Sequence, residues 1–347
     1  MNAVLQGSAG RWSLFVGRRL IGAAVALLGV VVLVFVVTRM LGDPAALILG
    51  PRATPEQIAK FRSDAGYDQS IVVQFWNYVT NLLQGDLGTS RYTQRPVSDE
   101  IASRFPSTLE LAAAGMILGL LWTIPLGIIA ALRPRGAVDR FSQFLVEFGV
   151  AIPSFWLGLL LVLVFSTGLG IAPSPVGELD IGATEPPRVT GMIAVDALLA
   201  GDMSTFRSAL AHLALPAITL AITSCPPILQ LTRNTMIEVL RGDFVRSARS
   251  FGLPERTVRW YAFKNALLPI STMVAMTFGF LLGGTVLVET VFSWPGIGLY
   301  AIQSMQRFDY EPVLGIVILA SAVYILVYLI ADLVAMVVDP RVRESTS

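Results

Sequence analysis

Residues 243–269 read DFVRSARSFGLPERTVRWYAFKNALLP. This charged, helix-prone stretch lies between two apolar runs, near 208–231 and 268–292, each long enough to cross a bilayer. A polar insert held that close to a membrane reads as a docking surface. Gly252 can adopt the left-handed conformation that ends a helix, and Pro254 is suited to open the next. The stretch therefore predicts a short helix, a sharp turn and a second helix, with Arg246 and Arg249 on one helical face. A basic interfacial helix on anionic lipid has a similar pattern. A DNA-reading helix-turn-helix shares the outline, but membrane spans directly on both sides leave no room for a duplex.

Composition points the same way. Charged residues make up 14% of the 347 and hydrophobic ones 54%, against roughly 25% and 45–50% in soluble domains. The chain is read as an all-α membrane protein. A net charge of +1 gives no electrostatic case for nucleic acid, and the single cysteine, Cys225, excludes an internal disulfide or a cysteine-rich metal site.

A bilayer core about 30 Å thick needs about 20 helical residues. Six stretches meet that need, near 15–40, 108–132, 142–170, 208–231, 268–292 and 313–338. The first is too long for a secretory signal and lacks its small-residue cleavage site, so it is expected to stay as an anchor. Placing the N-terminus in the cytoplasm puts Arg11, Arg18, Arg19, Arg133, Arg135 and Arg140 inside, together with the basic residues of 233–264, Arg341 and Arg343. Acid-rich loops then fall outside, as the positive-inside rule requires, so both termini are expected to be cytoplasmic.

The first outer loop, roughly 41–106, is long enough to be partly folded. Thr54, Pro55, Glu56 and Gln57 supply an N-cap, a first-turn proline and a capping-box partner. The apolar run Ile71 to Leu83 carries Phe75, Trp76 and Tyr78, whose rings suit the headgroup level. Ser107 and Glu110 repeat the capping pattern at the mouth of the second span. The loop 172–207, rich in Pro and Gly, is expected to be irregular. The division that follows is 1–106 as a first span plus outer loop, and 107–347 as a five-helix core containing a cytoplasmic coupling segment, 232–267.

Ionisable residues within spans are costly, so each needs a reason. Glu147 is the candidate for facing a translocation pathway, where it would meet a substrate ammonium group; interhelical hydrogen bonding is the other account. Glu289 and Asp332 lie near span ends, where interface exposure or pairing with Arg341 is expected. Pro125, Pro153, Pro216, Pro226 and Pro227 should kink their helices. Gly279 and Gly283 form a Gly-x-x-x-Gly pair that suits either a second subunit or packing within the chain. His212, the lone histidine, has no evident ligand companions and is read as a packing or interfacial residue. There is no phosphate-binding loop, nucleophile elbow or metal cluster, so the chain is expected to be neither an ATPase nor any other enzyme, and to need no cofactor.

Several motifs then fall into one order: Gly42-Asp43-Pro44, Ala53-Thr54-Pro55-Glu56-Gln57, Gly85-Asp86-Leu87-Gly88-Thr89-Ser90, Pro106-Ser107-Thr108-Leu109-Glu110-Leu111, Ile152-Pro153-Ser154-Phe155-Trp156, Glu289 to Gly296, and Asp339-Pro340-Arg341. Together they resemble the dipeptide/oligopeptide ABC-importer permeases across nearly the whole chain. The resemblance implies a type I importer permease fold of six transmembrane helices in a bacterial or archaeal inner membrane. It implies four kinds of partner: a similar second permease, two ATPase subunits, an extracytoplasmic solute-binding protein and membrane lipid. It also implies a coupling role for Arg246, Ser247, Ala248, Arg249, Gly252, Leu253 and Pro254, and a di- or oligopeptide cargo. Nickel chelates, glutathione or opine-like solutes are the alternatives within the family. Ser250, Phe251 and Tyr261 depart from its pattern around the turn. An ion-gradient-driven carrier is the competing class, and would show inverted repeats and intramembrane charge pairs, neither of which is visible.

Overall fold

The computed structural model describes residues 2–40, 49–50, 53–64 and 68–338, with the side chains of 2–15, 39–40 and 331–338 outside the description. The Gly42-Asp43-Pro44 and Asp339-Pro340-Arg341 motifs, Arg343, and the side chains of Arg11 and Asp332 fall outside it too. Among the described residues the regular structure is helical, with one isolated bridge between Thr89 and Pro96. Two compact units are formed, Met1–Ser103 with Tyr300–Ile325, and Arg104–Leu299 with Leu326–Ser347.

In the first unit, α1 (Asn2–Met40) contains the apolar span Val16–Thr38. The capping box forms as its spacing predicts. Thr54 N–H donates to Gln57 Oε1 at 2.8 Å and Gln57 N–H to Thr54 Oγ1 at 3.3 Å, opening α2 (Pro55–Asp64). The next helix, α3 (Ile71–Leu83), packs on α1 through Phe35, whose ring centroid lies 5.2 Å from Phe75 and 5.8 Å from Tyr78. The Gly85–Ser90 motif forms a turn anchored by buried Asp309, which accepts from Ser90 Oγ at 2.6 Å, Arg91 N–H at 3.0 Å and Tyr92 N–H at 3.3 Å. The Arg307 guanidinium sits 3.7 Å from the centre of the Tyr92 ring.

The helices that follow are α4 (Val97–Leu132), α5 (Ala137–Ala151), α6 (Ser154–Leu161, continued by π-helical Val162–Gly168), α7 (Ile193–Leu199), α8 (Met203–Ser224) and α9 (Pro226–Arg241). After them come α10 (Asp243–Ser250), α11 (Glu255–Gly284), α12 (Val286–Phe292), α13 (Ile297–Gln306) and α14 (Tyr310–Val338). Among the described residues, five helices are long and apolar enough to cross a membrane, and the bent pair α5–α6 makes six if taken as one span. That agrees with an all-α permease.

Several boundaries correct the sequence reading. The second span begins at Val97, not 108, because the helix runs through Pro106; Ser107 is therefore interior, and Glu110 accepts from Ala194 N–H at 2.9 Å instead of closing a capping box. The third span is broken at Ile152–Pro153 and turned by 102°, a full break where a kink was expected. The presumed irregular loop contains α7, and α8 starts at Met203 because the Asp202 side chain accepts from Ser204 N–H and Thr205 N–H, each at 3.1 Å. The fifth span starts at Glu255 and stops at Gly284, short of 292.

Packing in the second unit is set by small residues at the breaks. A Cβ on Gly149 of α5 would run into the Ile222 carbonyl and stand 2.5 Å from Pro226, and one on Gly119 of α4 would meet Cys225 Sγ. The proline break between α8 and α9 is therefore gripped by two other helices, with buried Cys225 as a packing group. Nearer α10, Ala131, Met236, Ala262, Ala266 and Ile270 form a seam joining α4, α9 and α11. Alanines there let the three backbones approach closely.

Candidate functional site

The charged stretch folds as a short helix, a tight turn and the start of a long helix. Gly242 (ψ 153°) breaks α9 from α10, and Asp243 in the first turn complements the helix dipole. At the other end, Leu253 N–H donates to Ala248 C=O at 3.2 Å and Gly252 N–H to Arg249 C=O at 2.9 Å, the paired bonds of a Schellman cap. Gly252 has φ +74°, a region most side chains avoid, which is why glycine is needed at this turn. Pro254 then forms the N-cap of α11. The helix after the turn does not stop before the fifth span, which the sequence placed near 268–292. It is the start of α11, a rod about 45 Å long that runs on, through Pro269, as the fifth span.

Two contacts join α10 to α11. Val245 and Ala248 pack on Val258 of α11 in a small apolar cluster. Across the turn, Arg249 grips Glu255 with Nε at 2.8 Å and Nη2 at 3.3 Å from its two oxygens. The candidate residues thus fall into two sets. Ala248 and Arg249 are engaged within the chain, whereas Ser247, Gly252, Leu253 and Pro254 are exposed, and Arg246, 82% exposed at its side chain, pairs with Asp243 on its own helix. The outward surface also includes Phe251, 84% exposed, and Phe244. Phe251 is visible in the sequence as a departure from the family pattern. Phe244 was missed, having only apolarity at a helix start to mark it.

A second connection joins α9 to the α4–α5 turn. Arg233 Nη2 lies 2.9 Å from Asp139 Oδ2, and Arg233 Nε also donates to Asp139 Oδ1. The same carboxylate accepts from Arg135 N–H at 2.7 Å and from Gln143 at 3.2 Å. Asp139 is buried, so the fork geometry of arginine is matched by further donors to the charge. Sequence reasoning had only placed these arginines on one side of the membrane.

Glu147 stands elsewhere. It is exposed on α5, beside Phe144 and Phe148, whose rings pack at 5.8 Å, and Arg140 turns away to the Arg135 carbonyl. The other intramembrane acid corrects the expectation of interface exposure: Glu289 is fully buried. It accepts from Thr108 Oγ1 and Thr285 Oγ1, each at 2.8 Å, and from Leu299 N–H at 2.9 Å. Trp294 Nε1–H donates to Ser107 C=O at 2.9 Å. The 106–111 and 289–296 motifs thus interlock as one polar knot. His212 is buried, with Nδ1 2.9 Å from Ser208 C=O and Nε2 3.8 Å from Asp180 Oδ1. Gly279 is buried within the chain while Gly283 faces open space, so the pair presents no single open groove. Among the described residues no cluster of potential metal ligands occurs.

Comparison with known proteins places the chain among transport-system components. Residues 123–344 match the family model described as binding-protein-dependent transport system inner membrane component, and residues 13–112 match its N-terminal counterpart. The chain is 41% identical over 333 residues to the probable D,D-dipeptide transport system permease protein DdpB of Escherichia coli (strain K12), covering 95% of this chain and 97% of that one. It is 38% identical over 333 residues to the di/tripeptide transport system permease protein DppB of Pseudomonas aeruginosa, with 95% and 98% covered. It is also 38% identical over 331 residues, with the same coverage, to the glutathione transport system permease protein GsiC of Salmonella typhimurium.

Proposed function

From the premise that this chain belongs to the binding-protein-dependent transport inner-membrane component family, and is an importer permease and not an enzyme, we propose that it forms half of a pathway for a di- or oligopeptide. The other half is a similar, non-identical permease. Two ATPase subunits drive the pair, one of them docking on α10 and the turn 251–254 of this chain, and a solute-binding protein delivers cargo from the opposite side. Both termini and the lever are cytoplasmic, in a bacterial or archaeal inner membrane. What carries this reading is the lever itself: a short exposed helix fixed by Val245, Ala248 and the Arg249–Glu255 clamp to a helix that continues directly into the membrane. A displacement of α10 by closing ATPases therefore moves α11 as a rod. Glu147, exposed among aromatic rings on α5, is the pathway candidate for a peptide ammonium group.

The test is Gly252→Val in vesicles holding the complete importer. A β-branched residue at φ +74° is strained, yet a Cβ there meets nothing within 4 Å, so the chain should still insert and fold. The expected result is at least a tenfold loss of uptake while the ATPases still hydrolyse ATP. Wild-type uptake by this variant would overturn the lever.

A further inference from the structure

We propose that α3 is an interfacial helix lying in the membrane surface, with Val72, Trp76, Val79 and Leu83 sunk to the acyl-chain boundary of the leaflet next to the first long loop. The helical wheel divides its residues into three sectors. Phe75 and Tyr78 turn sideways onto Phe35 of α1. Gln74, Asn77, Asn81 and Gln84 follow one another at intervals of three or four residues and form a continuous polar stripe. Opposite that stripe lie Val72, Trp76, Val79 and Leu83, and three of these are strongly exposed: Val72 at 72%, Trp76 at 65% and Leu83 at 81%.

The occupant follows from charge and continuity. No Asp, Glu, Lys or Arg occurs between Asp68 and Asp86, so the apolar stripe lacks the charged rim that a reversible protein contact uses. Phe35 stands three residues from the end of the span Val16–Thr38, which puts α3 at the depth where hydrocarbon gives way to headgroups. The α1 surface is apolar and exposed at Leu28, Val32, Leu33 and Val36, and α3 extends this lipid-facing surface sideways. A Trp at that level, a water-facing amide stripe and an apolar underside are the pattern of a surface-seated membrane helix. The sequence alone assigned Phe75, Trp76 and Tyr78 jointly to the headgroups, whereas the structure uses two of those rings to clamp α3 to α1 and leaves Trp76 for lipid.

The proposal rests on this chain being a membrane-spanning permease, and its test is independent of cargo and coupling. In a Cys225→Ala background, nitroxide labels are placed at Val72→Cys and Asn81→Cys, with Leu83→Cys as a second apolar-stripe site in case the first misfolds. The full importer is reconstituted in phosphatidylcholine nanodiscs, and collision with oxygen is compared with collision with a water-soluble nickel chelate. Labels at 72 and 83 should collide with oxygen at least threefold more than with nickel, and the label at 81 should show the reverse. Nickel-accessible labels at 72 and 83 would place the stripe in water, and labels shielded from both would place it under a partner protein; either result overturns the proposal. Uptake measured on the same samples separates this outcome from a failure of the transport reading.

Discussion

A single carboxylate shows how burial sets pH behaviour. Glu178 lies in the loop after the π-helical turn, with Oε1 buried and no hydrogen-bond partner. Burial, with Glu110, Glu185 and Glu289 nearby, pushes its pKa up to about 7, against the lowering effect of the Ser107 hydroxyl. Because the folded value lies above the unfolded value of 4.5, the native state holds the extra proton between them. Stability from this group is therefore present below pH 4.5 and declines as pH rises to about 7, by at most about 3 kcal/mol at 1.36 kcal/mol per unit. Glu178→Gln should flatten that decline and raise the melting temperature at pH 8 while changing it little at pH 4.5. Parallel melting curves for the two proteins from pH 4.5 to 8 would contradict this. Nothing in the sequence around Glu178 marks this residue, because its environment is assembled from α4, α12 and the loop itself.

At the scale of elements, the Asp139–Arg233 pair ties the α4–α5 turn to α9, which leads through Gly242 into the lever. Asp139 is buried and Arg233 partly so; removing one member of such a pair strands the other, at a cost of up to about 3 kcal/mol, whereas replacing both with apolar or neutral groups of similar size is far milder. Arg233→Met should accordingly lower stability strongly, and Asp139→Asn combined with Arg233→Met should recover most of the loss, as read by thermal melts of the purified chain. Equal losses in the single and double variants would show that the pair does not act as a unit. The sequence revealed elements better than their ends. Six apolar runs, the Thr54–Gln57 capping box and the Gly252–Pro254 turn were legible because length, spacing and φ preference are local properties. The start of α4, the 102° break at Pro153 and the continuity of α11 were not, because proline inside a helix is decided by whether neighbours fill the freed space. Likewise the burial of Glu289 depends on Thr108, far away in the chain, and a lone acid near a span end gives no sign of that donor.

For the whole molecule, the question is whether these parts amount to a machine or to a component of one. The chain has no nucleotide-binding loop, and its lever offers Arg246, Phe251 and Leu253 to solvent with no partner of its own to move them. Glu147 sits exposed on a helix rich in phenylalanine, where direct contact with lipid would cost about 2.5–3.5 kcal/mol, which favours a second subunit or a wet pathway on that face. An ion-gradient carrier would instead close its pathway within one polypeptide. Reconstituted alone with an imposed proton or sodium gradient, the chain should accumulate no peptide. With a second permease, two ATPases and a loaded binding protein, uptake should appear only with ATP, and an ATPase-dead partner should abolish it. Gradient-driven accumulation by the isolated chain would show that the energy enters through the span helices and not at α10, and the lever would then be a structural turn alone.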